Sequence, residues 1–148
     1  EVRNSLARQH NYWDMVMELG GPIHCIYTDK ELHPKDYDLD HFIPWSFVSH
    51  DLLWNLIPSD DSINSSKSNN LPDLNVYLPK LAELQHHSLQ LLIKNNKEPK
   101  VMEDFISLGY TARELADMDA AYFRKLYERT FNPINQIALN MGFEVWKY

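Results

Sequence analysis

Cysteine is nearly absent from this chain. Its single thiol, Cys25, excludes an internal disulfide and any multi-cysteine zinc cage. It also suits a reducing, cytoplasmic setting. No apolar run approaches the roughly 18 residues that cross a bilayer, and no secretory signal pattern stands at the start, so no membrane partner is expected. A basic excess is missing too. Lysine and arginine number 14 against 21 aspartates and glutamates, a net charge of −7. The basic footprint common among nucleic-acid binders is therefore not visible in the overall composition.

The acid is unevenly spread. Residues 37–72 hold Asp38, Asp40, Asp51, Asp60 and Asp61 against one basic residue, Lys67, a net of −4. Such a segment is either a solvated acidic loop or a place for a divalent cation. With 148 residues the chain fits one domain, 1–148, with enough length to bury a core. It opens on Glu1 rather than methionine, and a piece of a larger protein is the expectation.

Hydrophobic spacing divides the chain in three. Residues 1–22 contain one amphipathic helix, with Leu6, Tyr12, Trp13, Val16 and Leu19 at helical spacing and Gly20-Gly21-Pro22 as the stop. Residues 23–72 change character. Strands are expected at Ile23–Thr28, Tyr37–Phe42 and Trp54–Ile57, followed by a short helix with Ser59 as N-cap that ends near Ser68-Asn69-Asn70. Residues 73–148 read as helical. The spacing predicts a helix with Pro79 in its first turn, closed by Asn95-Asn96, and a short one over Val101–Leu108 stopped by Gly109. A capping box at Thr111 and Glu114 starts the next, which is expected to break at Asn132-Pro133 and resume to Met141-Gly142. The fold class is α+β, with a mostly helical C-terminal half.

Three runs carry the chemistry: Asp38-Leu39-Asp40-His41-Phe42-Ile43-Pro44, Trp54-Asn55-Leu56-Ile57-Pro58, and Ile63-Asn64-Ser65-Ser66-Lys67-Ser68-Asn69-Asn70-Leu71-Pro72. An aspartate beside a histidine is usually structural. The order His41, Asn55, Asn64 on strand, strand and helix is more telling.

That order resembles the HNH nuclease family, with asparagine in the third place. The variant looks closest to the HNH domains of single-protein, RNA-guided CRISPR nucleases. Their Tyr-Asp-x-Asp-His-x-x-Pro run is similar to Tyr37-Asp38, Asp40-His41 and Pro44. Their Asn-x-x-Lys-Ser-x-Asn-x-Pro run is similar to Asn64, Lys67-Ser68, Asn70 and Pro72. Cys25-Ile26-Tyr27-Thr28 looks like the element that precedes many such sites. The resemblance covers about residues 23–72. It implies a ββα-metal core with flanking helices and endonuclease activity on DNA, leaving 5′-phosphate and 3′-hydroxyl ends. It also implies an effector role in antiphage defence or a CRISPR-type system. A stand-alone restriction- or homing-type nuclease and a non-catalytic nucleic-acid-binding module are the rivals.

The residue types suit the reaction. Hydrolysis of a phosphodiester builds negative charge, which a divalent cation offsets. Mg²⁺, or Mn²⁺, takes oxygen ligands, and Asp40 supplies a carboxylate and Asn64 a side-chain carbonyl. His41, with an ordinary pKa near ~6.5, can accept a proton from water as general base. Adjacent strand residues face opposite sides, so Asp40 and His41 are expected at a strand's end. On spacing alone Asn55 is either a turn asparagine or a tether; the resemblance implies that it tethers the loop after His41 and orients His41. Lys67, three residues after Asn64, is read either as a contact to the phosphate or leaving oxygen or as a solvated lysine. With Cys25 alone, no structural zinc is expected, and Cys25 reads as a small buried hydrophobe. His86 and His87 are expected at the surface, His50 is a candidate DNA contact, and Trp45 and Trp54 are expected to pack the core. The acidic balance suggests that a fused domain or a partner protein or complex delivers the DNA.

Overall fold

The structure, a computed structural model, describes residues 5–148. Helix α1 (Ala7–Gly20) leads into a two-residue hairpin, β1 (Ile23–His24) against β2 (Glu31–Leu32). The motif-bearing unit follows. Strand β3 (Asp38–His41) leads to the single-turn α2 (Trp45–Val48), a 3-10 turn (Leu53–Asn55), strand β4 (Leu56–Ser59) and helix α3 (Ser62–Lys67). Strands β3 and β4 are antiparallel, with Asp38 opposite Ser59, Asp40 opposite Ile57 and His41 opposite Leu56. The rest is helical: α4 (Leu74–Lys94), a 3-10 helix (Lys100–Leu108), α5 (Ala112–Asp117) and α6 (Ala120–Asn140). This is an α+β architecture with a ββα unit and a helical C-terminal half, as the patterning predicts.

The helices form the wall on which the small ββα unit rests. Helix α4 packs against α1, α5 and α6, burying Leu78, Leu81, Leu89 and Leu92. From α6, Phe131 meets Phe42 and Trp54 edge-on at 5.4 and 5.6 Å between ring centres. From α4, the buried Gln85 donates to the carbonyls of Leu53 and Leu56 at 3.1 and 2.8 Å. The C-terminal tail closes the far end. Leu71 N donates to Glu144 O at 2.8 Å and Trp146 N to Leu71 O at 2.7 Å, while Trp146 packs its ring on Tyr27. A two-stranded sheet with one short helix is too small to be stable alone. The helical extension supplies the missing apolar surface.

Several local expectations need correcting. The β-prone run Ile23–Thr28 forms only two strand residues before turning at Ile26–Thr28. Trp54-Asn55 is a 3-10 turn, and the strand starts at Leu56 and extends to Ser59. Pro58 is tolerated there because a two-stranded sheet has only edges. Ser59 is thus a strand residue, not a cap; the Asp60 carboxylate accepts from Ser62 N at 3.3 Å instead. Pro79 lies well inside α4, whose cap is Asp73, and Pro133 lies inside an unbroken α6. An internal proline costs about 3 kcal/mol. Buried Leu78, Leu81 and Ala82 beside Pro79, and Phe131 and Ala138 around Pro133, outweigh it. His86 is buried, stacked on Phe123 with its Nε2 at 3.0 Å from Leu115 O, while His87 is exposed. The capping box of Thr111 and Glu114 and the left-handed Gly109 stop are both present.

Candidate active site

Strand alternation sorts the motif onto two faces. Asp38 and Asp40 share one face of β3, and His41 projects from the other. Helix α3 covers the acidic face. Asn64 and Lys67, one helical turn apart, lie on one side of α3 and meet the two aspartates in order. Asn64 Nδ2 donates to Asp38 Oδ2 at 2.8 Å. Lys67 Nζ lies 3.3 Å from Asp40 Oδ2.

Lys67 is 1% exposed. It is therefore not the solvated lysine of one sequence reading. Its ammonium donates to the carbonyls of His41 and Phe42 at 2.8 and 3.0 Å as well as facing Asp40. Burial lowers its pKa, and the Asp40 carboxylate opposes that shift. Asp40 also accepts the Tyr27 hydroxyl at 2.6 Å. Burial first, and the Asp40 charge second, push the Tyr27 phenol well above its ordinary value, so it remains a donor. A buried carboxylate is thus balanced by one cation and one hydroxyl, as the cost of burying charge demands. Tyr27 carried no signal of this role beyond its place in the Cys25–Thr28 run.

His41 is the last residue of β3, and the chain beyond it is held twice by Asn55. Phe42 N donates to the Asn55 carbonyl at 2.8 Å. The side chain of Asn55, fully buried, accepts from Ile43 N at 2.9 Å and donates to Ile43 O at 3.0 Å. An asparagine side chain pairs with a main-chain amide in this way as a strand neighbour would. His41 Nε2 lies 2.8 Å from Asp51 Oδ1. Asp51, in the loop after α2, was not singled out for a role at the site by sequence; an aspartate in a loop has no periodicity to betray it. Next to it, His50 is half-buried over Trp54 at 5.2 Å. Burial, then the proximity of His41, lowers its pKa.

Cys25 is buried, its Sγ 3.4 Å from Asp60 N. Trp54 is buried and Trp45 half-buried. Among the described residues, no three histidine, cysteine, aspartate or glutamate side chains converge as a preformed metal cluster. The oxygen donors on the α3 side come from Asp38, Asp40 and Asn64 and are of the type a hard dication takes, although Asp40 is 5% exposed and its two oxygens already face Lys67 and Tyr27. Mg²⁺ commonly takes only one or two carboxylates and completes its shell with water and substrate phosphate.

Residues 25–73 match the family model described as HNH endonuclease. Residues 1–24 and 74–148 lie outside the match. No curated protein and no solved structure matches the chain. Among the described residues no helix is long and apolar enough to cross a membrane.

Proposed function

We propose that this chain hydrolyses DNA phosphodiester bonds at the end of β3 with the help of Mg²⁺ or Mn²⁺, His41 acting as general base. The observation that carries the reading is the double tether of Phe42 and Ile43 by Asn55. It fixes His41 at the strand's end, while Asp38, Asp40 and Asn64 gather oxygen donors on the opposite face of β3. His41 takes a proton from the attacking water, and the products carry 5′-phosphate and 3′-hydroxyl ends. Asp40 and Asn64, with Asp38 alongside, would hold the dication, which offsets charge on the nonbridging and leaving oxygens. Lys67 does not touch the substrate. It holds the carbonyls of His41 and Phe42 and the Asp40 carboxylate in place from beneath.

Electrostatics favours delivery of the DNA by a fused domain or partner, as an effector nuclease in antiphage defence would require. The one basic residue of 37–72 is buried in an ion pair, so that segment turns no cation toward a phosphate. Few phosphate contacts mean low affinity and a shallow salt dependence. The expected result is weak binding of duplex and single-stranded DNA in EDTA, with a shallow salt slope, and cleavage only after Mg²⁺ or Mn²⁺ is added. Cleavage that persists in EDTA would overturn the metal requirement. Tight binding in EDTA with a steep salt slope would overturn delivery.

A further inference from the structure

The loop that carries Asp51 is anchored more heavily than a surface connection requires. Helix α2 is followed by the cap residue Ser49, whose φ of 56° puts it in the left-handed region. Gln9 of α1, itself 4% exposed, donates to the Asp51 carbonyl at 3.1 Å. Leu52 N donates to His50 Nδ1 at 3.2 Å, and Leu53 N to Asp104 Oδ2 at 2.9 Å. Trp54 Nε1 donates to Ser107 Oγ at 2.9 Å. Residues 51–54 are thus fixed in turn by α1, by their own neighbour and by the Lys100–Leu108 helix. What this anchoring aims is the Asp51 carboxylate, set 2.8 Å from His41 Nε2. The two side chains are only 19% and 13% exposed, so solvent screens the contact less than it would a surface pair.

We propose that Asp51 is the positioning residue for His41, holding the imidazole with its proton on Nε2 and its lone pair on Nδ1. The inference rests on the reading of His41 as general base. An ionised carboxylate can only accept, so the ring nitrogen that faces it must carry the hydrogen. Nδ1 is then the atom that takes the proton from water: the water O–H bond breaks, the N–H bond forms, and the hydroxide oxygen attacks phosphorus as the 3′ oxygen leaves and takes a proton from a solvent water. The resulting imidazolium carries its new charge beside the Asp51 carboxylate, which stabilises it. An aspartate that merely pinned the loop would have no influence on which nitrogen bears the proton.

The test compares Asp51→Asn, Asp51→Ala and Asp51→Glu in the full chain. Asparagine can turn its amide toward Nε2 and donate to it, which favours the opposite tautomer. Single-turnover cleavage of an oligonucleotide duplex in Mg²⁺ is expected to fall about 100-fold or more in Asp51→Asn, as in other sites where the wrong tautomer is imposed. Substrate affinity is expected to hold, and Asp51→Glu to recover part of the rate. In 15N-histidine NMR spectra, taken without metal or DNA at a pH where the ring is neutral, His41 is expected as the Nε2–H tautomer. It should shift toward Nδ1–H in Asp51→Asn and become mixed in Asp51→Ala. An Nδ1–H ring in the wild type, or an Asp51→Asn chain with unchanged tautomer and rate, would overturn the proposal. Should the wild type cleave nothing, the proposed function falls while the spectra still decide the role of Asp51.

Discussion

Replacing His41 by alanine is expected to lower the single-turnover cleavage rate by about 10²–10⁴-fold, the usual contribution of a general base. The loss should appear in the rate and not in substrate affinity, because a proton acceptor acts in the transition state rather than in binding. The fold should survive. The imidazole hangs from the end of β3, while the main chain at this point is held by pairing with Leu56 and by Lys67. Circular dichroism and urea denaturation of the same preparation check that expectation. A His41→Ala chain that cleaves within a few-fold of wild type would remove His41 from the chemistry.

The largest effect on stability is expected at Lys67. Removing one partner of a buried ion pair typically costs about 3–5 kcal/mol, because the remaining charge is left without compensation. Lys67→Met keeps much of the side-chain volume but strands the Asp40 carboxylate and uncaps two main-chain carbonyls. Loss of about 3 kcal/mol or more in urea denaturation is therefore expected. The double variant Lys67→Met with Asp40→Asn removes both charges and should be less destabilised than the two single changes summed. Additive losses, or a Lys67→Met chain within about 1 kcal/mol of wild type, would mean that the pair carries little of the stability.

Why the sequence misplaces Lys67 follows from the same physics. A lysine three residues after Asn64 can be assigned to a helix face, but whether that face is wet depends on what covers it. Here the cover is β3, and the partner, Asp40, lies 27 positions away. Tyr27 and Asp51 escape for the same reason: each reaches its partner across a turn or loop whose path no local pattern encodes. Asn55 is different. Its tether acts on residues in the same motif, and it was the resemblance to a known family, not spacing, that pointed to it. The motif order was legible because its three runs resemble those of a known family. Element boundaries were not, where tertiary burial overrode local preference. The prolines at 79 and 133 are the clearest cases, each carried inside a helix by the apolar residues around it. His86, expected at the surface, is drawn in by Phe123, a contact made across two helices.

The most direct test of the central claim is to follow the oxygen. Cleavage of a DNA duplex by the wild-type chain with Mg²⁺ in heavy-oxygen water, analysed by mass spectrometry of the fragments, reports which bond breaks and what attacks it. If water activated by His41 attacks phosphorus and the 3′ oxygen leaves, the label appears on the new 5′-phosphate and the other end is an unlabelled 3′-hydroxyl. Intact DNA under Mg²⁺ and Mn²⁺ alike, or fragments that end in a 3′-phosphate, would contradict the account.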